Sequence, residues 1–528
     1  MSTTSAYKLD NFESFYNIID NELVPTAKTR RAVDPSNEEL LAEVPVSTQQ
    51  DVDRAVAAAQ AAFPSWRDLS QDERAVYLTT FVDAIDAHQQ EFAQLLGKEA
   101  GKPPQGVGIE LYLLSHQIHE TLKFRLTEEQ IEDTDERYIP IGVGVGIVPW
   151  NFPMLLGIIK LVSALLTGNT FIWKPSPYSP YTALKLGELG AKIFPKGVFN
   201  VLSGDEDLGP LLTAHPGVAK ISFTGSVATG KKVMQACAST LKRVTLELGG
   251  NDAAIVMPDA DLAMTVPKVA TMAYFHSGQV CFCIKRVYVH EAIYDAFIAA
   301  IVEFVKSLKS GGPSDAEAVL GPIQNSMQYA KLLELYSQVS KQDLKVAYGG
   351  EAASSQSGSG FYLPPTVIDN PPEDSKLVVE EQFGPIVPIL KWSDEEDVIR
   401  RANASSMGLG GSVWSKDIVA AERLTRRLEA GTVWVNAHFE VGPQAAFGGH
   451  KNSGIGVESG LDGLKGWCNA QVVWIKKWYK IIDREDISHR NTDLIKSTLE
   501  IGSRSSQNTR LSNFQTLYNI HRISRQKT

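Results

Sequence analysis

Residues 141–175, IGVGVGIVPWNFPMLLGIIKLVSALLTGNTFIWKP, place two short apolar runs on either side of a longer one. The outer runs are rich in Val, Ile and aromatic residues and are bounded by glycine or proline, which suits strands buried on both faces. The middle run, MLLGIIKLVSALLTG, carries good helix formers over a helical length. The alternation continues downstream. GVFNVLSG (197–204), AKISFTG (219–225) and RVTLELGG (243–250) have strand character, while SPYTALKLGELGAKIF (179–194) and VATGKKVMQACAST (227–240) have helix character. Strands that alternate with helices predict a parallel sheet covered on both sides, a doubly wound α/β domain. The glycines of IGVGVG (141–146) do not make a dinucleotide fingerprint, because Pro149 and Asn151 follow where that motif needs a helix; they predict a glycine-containing strand.

A second α/β unit is predicted from residue 252, with strands at AAIVM (253–257), RVYVH (286–290), VPILKW (387–392), GGSVW (410–414) and GTVWVN (431–436). Upstream, residues 1–45 have the character of extended segments and turns. Helical patterns follow over 48–71, opened by Thr48 and Asp51 as a capping-box variant, and over 72–98 and 105–125. GEAASSQSGSG (350–360) predicts a surface loop.

The chain has 528 residues, 43% of them hydrophobic, enough for several domains with large cores. A net charge of −10 argues against nucleic acid as a partner, since phosphate binding needs a basic face. Four cysteines, Cys237, Cys281, Cys283 and Cys468, are too few for a disulfide framework and indicate a reducing compartment. Cys281 and Cys283 form C-x-C with no second ligand pair, so no metal site is expected. The N-terminus shows no signal-peptide pattern, and the longest apolar stretch, 147–168, is broken by Pro149, Asn151, Pro153 and Lys160. These features predict a cytoplasmic protein without a membrane partner.

Two chemically distinctive residues stand 34 positions apart: Glu247 in VTLELGGNDAAIV and Cys281 in FHSGQVCFCIKRVYV. A thiol and a carboxylate on separate glycine-marked stretches suggest a nucleophile and a general base. Taken alone, a cysteine is more often a small packed residue and a glutamate more often a salt-bridged one. The surrounding motifs reverse those readings. LELGGN (246–251) and GQVC (278–281) occur with PWNFP (149–153), WKPS (173–176), FTGS (223–226), EQFGP (381–385) and FGGHKNSG (447–454). Together, and in this order, they resemble the aldehyde dehydrogenase superfamily.

That resemblance implies two Rossmann-like α/β domains plus a small β oligomerisation arm: a cofactor-binding domain from 1–126 and 145–248, a catalytic domain from 249–450, and an arm from 127–144 and 469–480. The arm would pair the exposed ribbon over 127–141, which carries EEQIEDTDERYIP, with QVVWIKKW (471–478) in a homodimer or homotetramer. Residues 481–528, with eight Lys/Arg against five Asp/Glu, extend past the usual end of the family and are expected to be a disordered tail.

The resemblance also assigns roles. Cys281 is the nucleophile, Glu247 the base that activates the hydrolytic water, and Asn151 the oxyanion donor together with the Cys281 amide. Glu458 relays protons or holds Glu247, although Val457 replaces the arginine usual before it. Trp150, Lys174, Gly225, Ser226, Gly230, Glu381 and Phe383 belong to the cofactor site, with Lys174 and Glu381 as ribose contacts. Many NAD-specific members carry a glutamate where Pro177 stands, so the cofactor is NAD or NADP, with NAD favoured. Phe152, Leu156, Ile159, Phe275, Val280, Phe282 and Phe447 are expected to surround the substrate. His438 and Glu440, in the variable stretch AHFEVGPQ (437–444), are expected on a solvated loop.

The implied activity is NAD(P)-dependent oxidation of an apolar or aromatic aldehyde to the carboxylate through a cysteine thiohemiacetal and thioester. Two alternatives are an acylating enzyme that passes the acyl group to coenzyme A, against which Glu247 counts, and a non-enzymatic structural member. The pattern, including IKRVYVH (284–290), is similar to fungal members, some of which serve secondary metabolism.

Overall fold

The structure is a computed structural model that describes residues 7–131, 134–351 and 360–474. The larger compact unit comprises Met1–Gln130 and Glu136–Val472. A second, Ile131–Asp135 with Val473–Thr528, lies mostly outside the described residues, as do most of the loop expected at 350–360 and the tail 481–528.

The strands predicted in 141–250 form the centre of an eight-stranded sheet. Phe199–Val201, Thr170–Lys174, Val143–Ile147, Lys220–Thr224 and Arg243–Glu247 lie side by side in that order, all parallel. The order of connection reverses between Val143–Ile147 and Lys220–Thr224. In open α/β sheets a ligand crevice forms at such a switch, outside the carboxyl ends of the strands. Three short antiparallel strands extend the sheet: Asn17–Ile19 and Glu22–Val24 on one edge, and Gly454–Ile455 beside Glu247 on the other.

The glycines of the first strand admit aromatic rings. A Cβ on Gly144 would meet the Trp467 ring at 2.4 Å, and one on Gly146 the Phe171 ring at 2.5 Å. In the helix Pro153–Leu166, a Cβ on Gly157 would stand 1.6 Å from the fully buried Trp173 ring. Neither helix nor strand can move away without opening the core. Gly157→Ala is therefore expected to lower stability by roughly 2–3 kcal/mol, the scale of an overpacked core, read as a reduced denaturation midpoint with an unchanged m-value. A midpoint within error of wild type would contradict this packing.

Helices Gln49–Arg67, Gln71–Ala87, Gln89–Ala100 and Pro104–Thr121 come from the upstream region. Thr48 and Asp51 form the reciprocal capping box that their spacing predicts. The pattern over 72–98 is two helices, not one. The chain turns at His88, which is buried against the N-terminal segment and takes the Leu9 amide on Nε2 (3.3 Å).

The second sheet has seven strands in the order Val346–Tyr348, Thr366–Asp369, Ile386–Trp392, Ile284–His290, Asp252–Val256, Gly410–Trp414 and Thr432–Val435. All but the first run parallel to their neighbours. The first two had no counterpart among the predicted strands. Val346–Tyr348 is three residues long and half-exposed, too short for a periodic signal.

Val143 and Gly144, grouped with the arm by sequence, begin a central strand of the first sheet instead. Residues 136–140 and 468–472 do lie in one small three-stranded sheet, with Arg137 donating to Gln471 Oε1 (2.7 Å). The late strand begins at Cys468, one residue before the predicted arm, and residues 475–480 of that arm lie outside the described residues. Among the described residues, no helix is long and apolar enough to cross a membrane.

Candidate active site

Glu247 closes the strand Arg243–Glu247, where the chain leaves the first sheet through Gly249 and Gly250. Cys281 lies between a short 3-10 turn, Phe275–Gly278, and the strand Ile284–His290 of the second sheet. The turn is tight: His276 and Ser277 both take positive φ (50° and 55°). A Cβ on Gly250 would stand 2.3 Å from the Cys281 carbonyl oxygen, so the strand-end glycine lets the two segments touch.

One cavity of about 100 Å³ brings Cys281, Glu247 and Glu458 together. Its walls are apolar: Leu113, Leu155, Leu156, Ile159, Phe282, Val441, Pro443 and Phe447. Thr224, Gln117, His116 and Ser459 add the remaining polar groups. Of the residues named for the substrate, Leu156, Ile159, Phe282 and Phe447 line this cavity. Phe152, Phe275 and Val280 are not in the wall. They pack behind it with Cys283, Leu155 and Phe439, where the Phe439 ring stacks on Phe282 at 4.4 Å. An offset from a motif finds the neighbourhood of a side chain but not the face it presents. Phe439 was missed because it sits at positive φ (71°) in a loop without periodicity.

Glu247 is 5% exposed, and neither carboxylate oxygen has a hydrogen-bond partner among the described residues. Burial, and then the neighbouring Glu458, raise its carboxyl well above the usual range, while the Lys160 ammonium opposes them. Cys281 is partly open to the cavity. Burial, followed by the carboxylates of Glu381, Glu247 and Asp252, pushes its thiol well above the ordinary value, and Lys285 acts in the opposite direction. Both shifts disfavour the charged form of the group. Cys283, by contrast, is fully buried with its Sγ directed at the Phe275 carbonyl (3.7 Å), and burial pushes it up to about 11.

Glu458 is buried in a polar network beside Glu247. Its Oε1 accepts from Lys160 Nζ and from Ser222 Oγ (2.6 Å), and Lys160 also donates to Thr224 Oγ1 (2.8 Å). Lys160 is 1% exposed on an otherwise apolar helix. The sequence showed it only as a charge interrupting an apolar run. An isolated buried lysine needs a partner, and that was the signal for the ion pair.

Asn151 is 4% exposed and donates one Nδ2 proton to the Gln279 carbonyl (3.0 Å), so its amide retains a second donor. Gln279 is held in turn by His276 and by Gln324, whose backbone amide donates to Gln279 Oε1 (2.9 Å).

The residues assigned to a cofactor lie at the carboxyl ends of the first sheet's strands and on a segment of the second. Lys174 ends its strand, is 6% exposed, and has a single acceptor, the Pro175 carbonyl (3.0 Å). Burial, with Arg30 nearby, lowers its ammonium to about 8. A buried cation with one neutral acceptor and no carboxylate bound fits a hydroxyl or anionic ligand. Ser226 caps the helix Val227–Ala238, whose first amides precede any intrahelical bond and suit a phosphate. Gly225 connects strand to cap, and a Cβ on Gly230 would strike Leu248 (2.6 Å). Trp150 meets Phe383 edge to face at 5.4 Å, and Glu381 Oε1 accepts from the Gly250 amide (3.0 Å). Glu381 thereby sits on the glycine turn that follows Glu247.

His438 is a correction. It is buried at 4%, not solvated, while Glu440 is exposed. The His438 ring contacts Ser412 Oγ (3.0 Å) and the Phe282 carbonyl (2.9 Å), with Asp252 3.6 Å away. It holds the residue that follows Cys281.

The chain matches the aldehyde dehydrogenase family over residues 24–473. It is 41% identical over 471 residues to aldehyde dehydrogenase LUC3 of a Fusarium species, covering 88% of this chain and 100% of the relative. Among solved structures, an aldehyde dehydrogenase of Mycobacterium tuberculosis complexed with NAD+ superimposes with a TM-score of 0.84 at 32% identity, covering 88% of this chain and 99% of that one. A variant of aldehyde dehydrogenase C of Pseudomonas syringae, solved with NAD+ and octanal, gives a TM-score of 0.85 at 31% identity over 89% and 98% of the two chains. With this fold, these motifs and these relatives, the chain belongs to the aldehyde dehydrogenase family and is an oxidoreductase that acts on aldehydes.

Proposed function

We propose that this protein oxidises an apolar or aromatic aldehyde to its carboxylate with NAD or NADP, by way of a thioester on Cys281. The observation that carries the reading is the apolar cavity into which Cys281 and Glu247 both open. When bound, the oxidised nicotinamide supplies the hydride acceptor and a positive charge. Lys174 would hold the adenosine ribose, Glu381 the nicotinamide ribose, and Ser226 with the helix amides the pyrophosphate. Trp150 and Phe383 would flank the ring.

In the first step the Cys281 thiol gives its proton to a solvent water and its sulfur adds to the aldehyde carbon. The new oxyanion accepts hydrogen bonds from the second Asn151 Nδ2 donor and from the Cys281 backbone amide. Hydride departure then leaves a thioester. Glu247, once ionised, removes a proton from water, the water oxygen attacks the thioester carbon, and the C–S bond breaks to give the carboxylate and the free thiol. A base buried beside the thiol favours water as the acceptor over coenzyme A. Lys160 and Glu458 would carry the proton away from Glu247.

The wall composition supports an apolar substrate, because no lysine or arginine lines it to match an acidic tail; the octanal in the Pseudomonas syringae relative is an apolar aldehyde. Pro177 offers no carboxylate to the adenosine ribose, and NAD is favoured on the relatives alone. A panel of octanal, benzaldehyde and succinic semialdehyde, each with NAD and NADP and without coenzyme A, tests the whole reading. Octanal or benzaldehyde is expected to exceed the semialdehyde in kcat/KM by about 100-fold, the order set by burying an unpaired carboxylate. A faster semialdehyde, or a product that forms only with coenzyme A, would overturn it. For the arm we propose pairing between subunits; Val472, 52% exposed on the late strand, fits that use.

A further inference from the structure

The helix Pro153–Leu166 begins two residues after Asn151, and its N-cap is Phe152, which has no side chain able to cap. The missing acceptor comes from elsewhere. Glu110, on the helix Pro104–Thr121, accepts the Met154 amide (3.0 Å) and the Leu155 amide (3.1 Å) on Oε1. Its other oxygen binds the Lys102 ammonium. Lys102 in turn lies 3.4 Å above the centre of the Phe152 ring. Both charged groups are sealed from solvent, at 1% and 0% exposure.

A buried ion pair is seldom a gain in stability over apolar residues of similar size. A neutral acceptor would suffice to cap two amides. The position of the pair is more telling than its charge. It grips the residue after Asn151 through a cation–π contact and the next turn through two amides. On the other side, Asn151 is tied to the Gln279 carbonyl.

We propose that Lys102 and Glu110 are positioning residues for the oxyanion donor, holding the Asn151–Phe152 turn so that the free amide proton meets the developing charge. The proposal rests on the assignment of Asn151 as that donor. Misplacing a donor by a fraction of an ångström weakens it in the transition state while leaving aldehyde binding nearly unchanged.

The test is a double-mutant cycle on the full chain. One arm is the charge-free pair, Lys102→Met with Glu110→Gln, which leaves no orphan charge and keeps an amide oxygen for the helix. The other arm is Asn151→Ala. The readout is the pre-steady-state rate of reduced nicotinamide formation at saturating octanal, together with KM. Alone, Asn151→Ala is expected to slow the burst about 10²-fold and the charge-free pair about 10-fold, with KM within about two-fold. In the Asn151→Ala background, the pair change is expected to cost less than two-fold, because the group it positions is gone.

Equal losses in both backgrounds, a loss confined to KM, or a pair variant that fails to fold where Asn151→Ala folds would each overturn the proposal and leave the pair structural. If Asn151→Ala itself leaves the burst unchanged, the oxyanion assignment falls first, which distinguishes the two failures.

Discussion

Cys281→Ala protein is expected to fold, to retain its affinity for the nicotinamide cofactor, and to lose aldehyde turnover by at least about 10⁴-fold, with no burst of reduced nicotinamide. The size of the loss follows from chemistry. Without the sulfur there is no covalent adduct from which hydride can leave, and losing a nucleophile removes nearly the whole covalent contribution. Retention of the fold follows from position: Cys281 faces the cavity, so the lost atom widens a space that already exists. Cys283→Ala provides the contrast. That residue is fully buried among Phe152, Val280 and their neighbours, so the change should lower stability by about 1 kcal/mol and keep most of the activity. The measurements are stopped-flow absorbance of reduced nicotinamide and thermal unfolding of both variants. Activity that survives in Cys281→Ala and disappears in Cys283→Ala would exchange the roles of the two thiols.

The contrast between these cysteines marks how far sequence alone reaches. Backbone periodicity is local, so the parallel strands from Val143 to Glu247 were legible as apolar runs between helices. The pairing of Glu247 with Cys281 was legible only through the motif set that resembles the aldehyde dehydrogenase family. Contacts made across the fold were not. Lys160 and Glu458 are nearly 300 positions apart, at a separation of 298, and neither position carries information about the other. His438 looked like a loop residue because its loop is irregular, yet the carbonyl of Phe282 and the hydroxyl of Ser412 satisfy its ring in the interior. The helix after Asn151 lacks a local cap, and only the fold reveals that Glu110 supplies one.

Glu247→Gln is expected to separate the two halves of the reaction. Hydride transfer precedes the need for a base, so the variant should release about one equivalent of reduced nicotinamide per active site and then stall. Steady-state turnover should fall by about 10³-fold, within the usual range for a positioned base. The pH dependence gives the sharper signature. The Glu247 carboxyl is held well above the usual range by burial and by Glu458, so the ionised base appears only as pH climbs through that raised value. Wild-type deacylation should therefore rise with pH along a sigmoid that Glu247→Gln lacks. Stability should move in the opposite direction. A carboxyl whose folded pKa exceeds its unfolded value binds more protons in the native state, so its stabilising contribution is complete below the unfolded pKa and is lost as pH rises through the folded one. Neither oxygen has a partner among the described residues to support the charge. The neutral amide escapes that loss, and the difference in melting temperature between variant and wild type should widen in favour of the variant as pH increases. A variant that turns over at the wild-type rate, or a wild-type deacylation rate flat in pH, would remove Glu247 from the mechanism.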